Sequence, residues 1–164
     1  MRNPTIIPHK IMTREQLVRQ VAVWKFLGKK IVFTNGVFDI LHQGHIYSLS
    51  QAAQEGDILV VGVNSDASVK RLNKGPERPI NDQQSRAMLL ASMVMVDAVV
   101  IFEEDTPYET IVSIMPDVLV KGGDYRVEQV VGHREVIENG GQVIINPIVE
   151  GFSTTGIVRR IAGK

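Results

Sequence analysis

Five short apolar runs recur along this chain, and none of them alternates with polar residues. They are Ile31 to Phe33, Ile58 to Val63, Ala98 to Ile101, Val118 to Val120 and Val143 to Ile145. A strand with one wet face alternates apolar and polar side chains. One buried on both faces reads as a continuous apolar run, the condition of a parallel sheet sandwiched between helices. Helical patterns separate the five runs, and right-handed crossovers then predict a doubly wound α/β fold on a five-stranded parallel sheet. On such sheets ligands bind beyond the C-terminal strand ends. Those ends carry TNG, NSD, FEED, KGGDY and the stretch leading to EGFSTT, so the chemically unusual residues fall at one edge.

The connecting segments carry their own signals. Thr13 with Gln16 forms a capping box ahead of Leu17, Val21 and Trp24, and Gly28 ends that helix. Residues 1–12 hold two prolines and no periodicity, which reads as a loosely ordered arm; 1–28 is then an arm and helix preceding a single domain over 29–164. Asn64-Ser65-Asp66 caps a helix from Ala67 to about Leu72, and Asn73 to Asn81 is a Pro/Gly loop carrying Lys74 and Arg78. Asn81 with Gln84 starts a helix from Gln83 to about Met95. Thr106 caps another, with Pro107 in its first position and an end near Met115-Pro116. Lys121 to Tyr125 reads as a flexible charged loop, Val127 to Glu138 as a helix ended by Asn139-Gly140-Gly141, and Ser153-Thr154-Thr155 as the start of a terminal helix.

Thr34 to His45, TNGVFDILHQGH, is the stretch with the most chemistry. It leaves the first strand at Asn35-Gly36 and enters a helix with Ile46, Leu49 and Ala53 on one face, stopped by Gly56. A strand-to-helix turn gathers free backbone N–H groups and the positive end of the helix dipole, which suits an anion. Gly36 and Gly44 leave room for a phosphate against the backbone. His42 and His45, three apart, share one side of the first turn and both offer hydrogen bonds. Two histidines at this spacing can also ligate a metal, but no third ligand follows at a recognisable distance. Gly151-Phe152-Ser153-Thr154-Thr155 repeats the anion-site logic with three hydroxyl groups at a helix start.

FDILHQGH resembles the HxGH signature of the nucleotidyltransferase superfamily. Taken with NSDASVKRL, RPIN, FEEDTP, LVKGGDY and EGFSTT, in that order from about Lys29 to Ile161, the chain is similar to the D-glycero-β-D-manno-heptose 1-phosphate adenylyltransferases. The resemblance implies a Rossmann-like nucleotidyltransferase fold and transfer of AMP from ATP to a sugar 1-phosphate with Mg²⁺, for lipopolysaccharide or surface-glycan precursors. It implies His42, His45 and Lys74 as catalytic residues, with Arg71 and Arg78 competing for the lysine's phosphate-contacting role. Nucleotide contacts are implied at Asn35, Gly36, Val37, Phe38, Gly44, Arg86, Lys121, Gly122, Glu150, Gly151, Phe152, Ser153, Thr154 and Thr155. Asp39, Asn64, Asp66 and Asp124 are expected near the acceptor; Asp39 alternatively orients a histidine or reaches the metal shell, and metal ligands stay unassigned. Ile148 stands where related cytidylyltransferases carry an arginine, an apolar wall more suited to adenine. The resemblance further implies a homodimer or higher homo-oligomer and a stand-alone transferase served by a separate sugar kinase.

Composition narrows the partners. Eighteen basic and eighteen acidic residues leave no net charge, so bulk attraction to nucleic acid or anionic membrane is not indicated and any phosphate binding must be local. The chain has no cysteine, which fits a reducing cytoplasm. No apolar run approaches the about 18 residues that span a bilayer, and the N-terminus has no apolar signal core. A sugar 1-phosphate is largely ionised at neutral pH, its second pKa being about 6. No general base is then required, and the reaction needs alignment and charge cancellation instead. The competing readings are a glycerol-3-phosphate cytidylyltransferase-like or phosphopantetheine adenylyltransferase-like enzyme, a catalytically silent nucleotide-binding module, and a metal-dependent hydrolase.

Overall fold

The computed structural model describes residues 3–72, 75 and 78–147. In chain order the elements are α1 (Ile6–His9), β1 (Ile11–Met12), α2 (Arg14–Phe26), β2 (Ile31–Gly36), α3 (Gln43–Ala53), β3 (Ile58–Asn64) and α4 (Asp66–Arg71). They continue with α5 (Gln83–Ala91), β4 (Ala98–Phe102), α6 (Tyr108–Ile114), β5 (Val118–Gly122), a 3₁₀ turn at Val127–Gln129, α7 (His133–Glu138) and β6 (Gln142–Asn146). All neighbouring strands are parallel, in the order β1-β4-β3-β2-β5-β6. Among the described residues the sheet therefore has six strands rather than the expected five. The extra one comes from the segment read as a loose arm: Ile11 and Met12 pair with Val99 and Val100 of β4.

Both faces of the sheet are covered. Val32, Leu59, Val61 and Val99 point to one side and pack with Leu49 and Ala52 of α3 and Ala87, Leu90 and Ala91 of α5. Ile31, Phe33, Val60 and Leu119 point to the other and pack with Leu17 and Val21 of α2, Ile111 and Ile114 of α6 and Val136 of α7. The period-2 geometry of each strand feeds both cores, hence the unbroken apolar runs. On α3 the buried face is Leu49 and Ala52, while Ile46 stays exposed, a rotation of the face expected from sequence. Trp24 lies partly buried against the second core.

Several ends differ from the sequence reading. The Thr13 capping box forms as expected. The cap of α5 is Asp82, whose carboxylate accepts from Ser85 N–H at 2.8 Å; Asn81 is engaged elsewhere, its Nδ2 donating to the Asp39 carbonyl at 2.6 Å. That helix stops at Ala91, and α6 starts at Tyr108 without a side-chain cap from Thr106. Lys121 and Gly122 belong to β5, pairing with Ile145 and Asn146 of β6, so the flexible loop begins later than expected. The helix read over 127–138 is broken at Gly132. Its φ is +82°, and a Cβ there would lie 2.8 Å from Ile111, so the chain turns where α6 approaches.

The N-terminal edge of the sheet is fastened by one repeated device. Asp57, Asp97 and Asp117 each directly precede a strand. Each accepts a backbone N–H from a neighbouring strand's start, from Lys30 (2.8 Å), Leu59 (2.8 Å) and Ile31 (2.7 Å).

Candidate active site

Strand order reverses between β2 and β5: the chain moves outward from β2 through β3 to β4, then returns to lay β5 on β2's other side. A crevice opens beyond the strand ends at such a switch point. Here it is a cavity of about 300 Å³ lined by Asn35 and Gly36 at the end of β2 and Val37 just beyond it, Asn64 at the end of β3, Lys121 of β5 and Tyr125, closed by Asp105 to Pro107 and Gln129 to Val131. Lys121 Nζ lies 3.4 Å from Asn35 Oδ1 and 5.6 Å from the centre of the Tyr125 ring.

The histidines stand at the start of α3 and do not themselves line this cavity; Phe38, whose ring lies over the cavity residue Gly36, links them to it. His42 is the N-cap residue, and its carbonyl accepts from His45 N–H at 2.9 Å. One helical turn stacks the two rings, with centroids 3.9 Å apart and planes 25° from parallel. Burial lowers the pKa of both. His45 falls to about 4, through burial first and the neighbouring His42 second. Both shifts favour the neutral imidazole, which keeps one N–H to donate. His45 Nδ1 is buried with no hydrogen-bond partner among the described residues. Phe38 completes the wall: its ring meets His45 at 5.4 Å and 60° and lies over Gly36, where a Cβ would come within 3.0 Å of it. Gly44, in the first turn of α3, is half-buried.

The remaining candidates separate. Asn35, Gly36, Val37, Asn64 and Lys121 converge on the cavity. Gly122 sits at the end of β5 facing Ser48, to whose Oγ a Cβ would approach within 3.2 Å. Asp39 is buried at 2% exposure and turned inward, its Oδ1 accepting from Ile80 N–H (2.8 Å) and Asn81 N–H (2.9 Å) and its Oδ2 paired with Arg78 (2.8 Å). Arg86 is fully buried and bonded to Asn81, Val37 and Asp66. Asp66 thus serves Arg86, Asp124 is exposed, and neither lines the cavity. Of the three cations competing for phosphate contact, Arg71 is held by Asp105 and the Glu103 carbonyl and Arg78 by Asp39. Lys74 lies outside the described residues, as do Ile148, Glu150, Gly151, Phe152, Ser153, Thr154 and Thr155. Sequence reasoning missed Thr106 and Gln129 as cavity residues; Tyr125 was in plain view within KGGDY, beside a lysine.

A model of the family described as Cytidylyltransferase-like matches residues 33–160. The chain belongs to the cytidylyltransferase-like family. Within the family's range fall both histidines and every strand from β3 to β6. The chain is 49% identical to the bifunctional protein HldE of Azorhizobium caulinodans over 153 residues, 93% of this chain and 32% of that one. It is 51% identical to the protein of the same name from Shigella flexneri serotype 5b, over 92% of this chain and 31% of the other. This chain thus spans about a third of the length of these curated relatives. Among solved structures, the lipopolysaccharide core biosynthesis protein of Thermoplasma volcanium matches with a TM-score of 0.61 and 34% identity, over 74% of this chain and 98% of that one. Pantoate-beta-alanine ligase from Francisella tularensis shares the fold, with a TM-score of 0.55 at 17% identity over 94% of this chain and 78% of its own. No helix among the described residues is long and apolar enough to cross a membrane.

Proposed function

We propose that this chain is an adenylyltransferase that moves AMP from ATP to D-glycero-β-D-manno-heptose 1-phosphate, giving ADP-heptose and pyrophosphate. The observation that carries the reading is the stacked His42–His45 pair at the N-terminus of α3, joined through the Phe38 ring to Gly36, which lines a mixed polar and apolar cavity at the sheet's switch point. The identity of about half of all residues with HldE proteins supports a sugar phosphate as the acceptor.

The reaction balances without a general base. An oxygen of the acceptor phosphate, ionised at neutral pH, attacks the α-phosphorus of ATP. The bond from that phosphorus to the bridging oxygen breaks, and the electron pair leaves on pyrophosphate. Charge grows on the oxygens around the α-phosphorus and on the leaving group. Neutral imidazole N–H groups and the N-terminal amides of α3 suit that task, since donors fixed in a partly dry site cost no reorganisation as charge develops. Lys74 and the Ser153–Thr155 hydroxyls belong to the same proposal as further phosphate contacts. The cavity, with the amides of Asn35 and Asn64, the Lys121 ammonium and the Tyr125 ring, is the proposed acceptor pocket. Its size suits a sugar phosphate, and its mix of amide, cation and aromatic face suits hydroxyls, phosphate and a sugar's apolar side. No group of three His, Asp or Glu among the described residues is placed to cage a metal. Mg²⁺ bound with ATP would supply charge cancellation on the phosphate oxygens.

Pyrophosphate release measured with Mg-ATP or Mg-CTP against heptose 1-phosphate, glycerol 3-phosphate and phosphopantetheine tests the reading. Turnover with ATP and heptose 1-phosphate is expected to exceed every other pair. A faster reaction with CTP and glycerol 3-phosphate, or ATP binding without turnover on any acceptor, overturns it.

A further inference from the structure

Phe38 adopts a left-handed backbone conformation, φ +51°, that residues other than glycine, asparagine and aspartate seldom take. Such a conformation persists only where the surroundings over-determine it. Here both flanking residues are pinned. On one side the Val37 carbonyl accepts from Arg86 Nη1 at 2.6 Å. On the other, the Asp39 carboxylate takes the Ile80 and Asn81 N–H groups, and its carbonyl accepts from Asn81 Nδ2. Arg86 ties the two halves together, donating through Nε to the Asn81 carbonyl at 3.0 Å and through Nη2 to Asp66 at 2.7 Å. The held residue is the one whose ring rests against His45.

Burying a guanidinium completely is costly, and an apolar side chain could fill the same space of α5 without that cost. What an apolar side chain lacks is the planar fork that reaches Val37, Asn81 and Asp66 at once. We propose that Arg86 and Asn81 are positioning residues for the reaction, clasping the 37–39 segment so that Phe38 stays left-handed and its ring sets the place of His45. This rests on the adenylyltransferase reading for its catalytic consequence, but not for its geometry. Arg86 acts on the nucleotide at second hand, through carbonyl and ring, in place of the direct contact expected from sequence.

The test uses Arg86→Lys, which keeps the charge but loses the fork, Arg86→Gln, and Asn81→Ala at the partly exposed end of the clasp. Titration of the His45 ring is followed by NMR without substrate, alongside steady-state kinetics and denaturant unfolding. In the Arg86 variants the His45 titration is expected to move up from about 4 toward the ordinary histidine range, as water reaches a loosened ring. The kcat is expected to drop about tenfold or more, as small misplacements of reacting groups do, with the KM for ATP nearly unchanged. Asn81→Ala is expected to show the same changes, smaller. A structural role alone would lower stability and leave His45 where it was. Folded Arg86 variants with wild-type His45 titration and kcat overturn the proposal; if neither folds, an unmoved His45 in Asn81→Ala does so. A moved His45 in a protein that turns over no acceptor upholds the clasp and removes the adenylyltransferase reading instead.

Discussion

The two ends of the sheet are both lined with polar residues, yet they are built to opposite purposes. At the N-terminal edge, Asp57, Asp97 and Asp117 each spend their carboxylate on a backbone N–H of the next strand. At the C-terminal edge, His45 Nδ1 has no partner among the described residues, Phe38 is held in a rare conformation, and side-chain amides and an ammonium line an open cavity. Polar residues beside apolar strands are therefore not a signal of chemistry by themselves. What separates the seam from the site is what the polar groups face: strand backbone at one edge, the wall of a cavity at the other.

Perturbing each edge in turn should break different properties. His45→Ala is expected to cost the most, about 10²-fold or more in kcat as loss of one fixed donor often does, with little loss of unfolding free energy. Pyrophosphate release by the folded variant checks this, and near-wild-type turnover would remove His45 from the mechanism. At the opposite edge, Asp97→Ala strands the buried Leu59 N–H. It should cost about 1–3 kcal/mol in urea unfolding while leaving kcat per folded molecule unchanged. A lowered kcat at full folding would mean the two edges are coupled. Lys121→Met should raise the KM for the sugar phosphate about tenfold, the equivalent of one hydrogen bond to a charged group, with a smaller change in the KM for ATP. The smallest effect concerns pH. The folded pKa of His45 is about 4, below the ordinary histidine value. The unfolded chain therefore binds more protons between these two values, and stability falls as pH drops through that window. With solvent around half the ring, the loss between pH 7 and 5 should be no more than about 1 kcal/mol. Urea unfolding at the two pH values should show a shallower slope in His45→Ala; an identical slope would mean the imidazole is not desolvated.

How much of this was readable in advance follows the same division. The five long strands were legible because burial on both faces writes itself into unbroken apolar runs. The edge carrying unusual residues followed from strand direction alone. Ile11-Met12 was not legible: two residues have no periodicity, and only the pairing with Val99 and Val100 makes them a strand. The break at Gly132 was hidden because its positive φ and its close approach to Ile111, on another helix, leave no periodic trace. His42 and His45 announced themselves by spacing. Asp39 and Arg86 looked like ligand-binding charges in a functional motif, but their partners at Asn81 and Val37 lie 42 and 49 residues away along the chain. Long-range satisfaction of a charge leaves no local trace in a sequence. Arg71 and Arg78 illustrate the same point: each is paired with a distant carboxylate, on Asp105 and Asp39.

The two-residue strand β1 has a consequence beyond its size. Without it, the outer edge of β4 at Val99 and Val100 would be an uncovered apolar border, of the kind to which another strand can add. Ile11 and Met12 occupy that border, and Lys10 fixes them there, its carbonyl accepting from Val99 N–H at 2.8 Å and its ammonium reaching the Val96 carbonyl at 2.7 Å. A truncation starting at Lys29 would strip away this stopper together with α2. It would bare the strand edge at Val99 and Val100 and uncover the core that Leu17 and Val21 fill, while leaving every residue of the histidine helix in the chain.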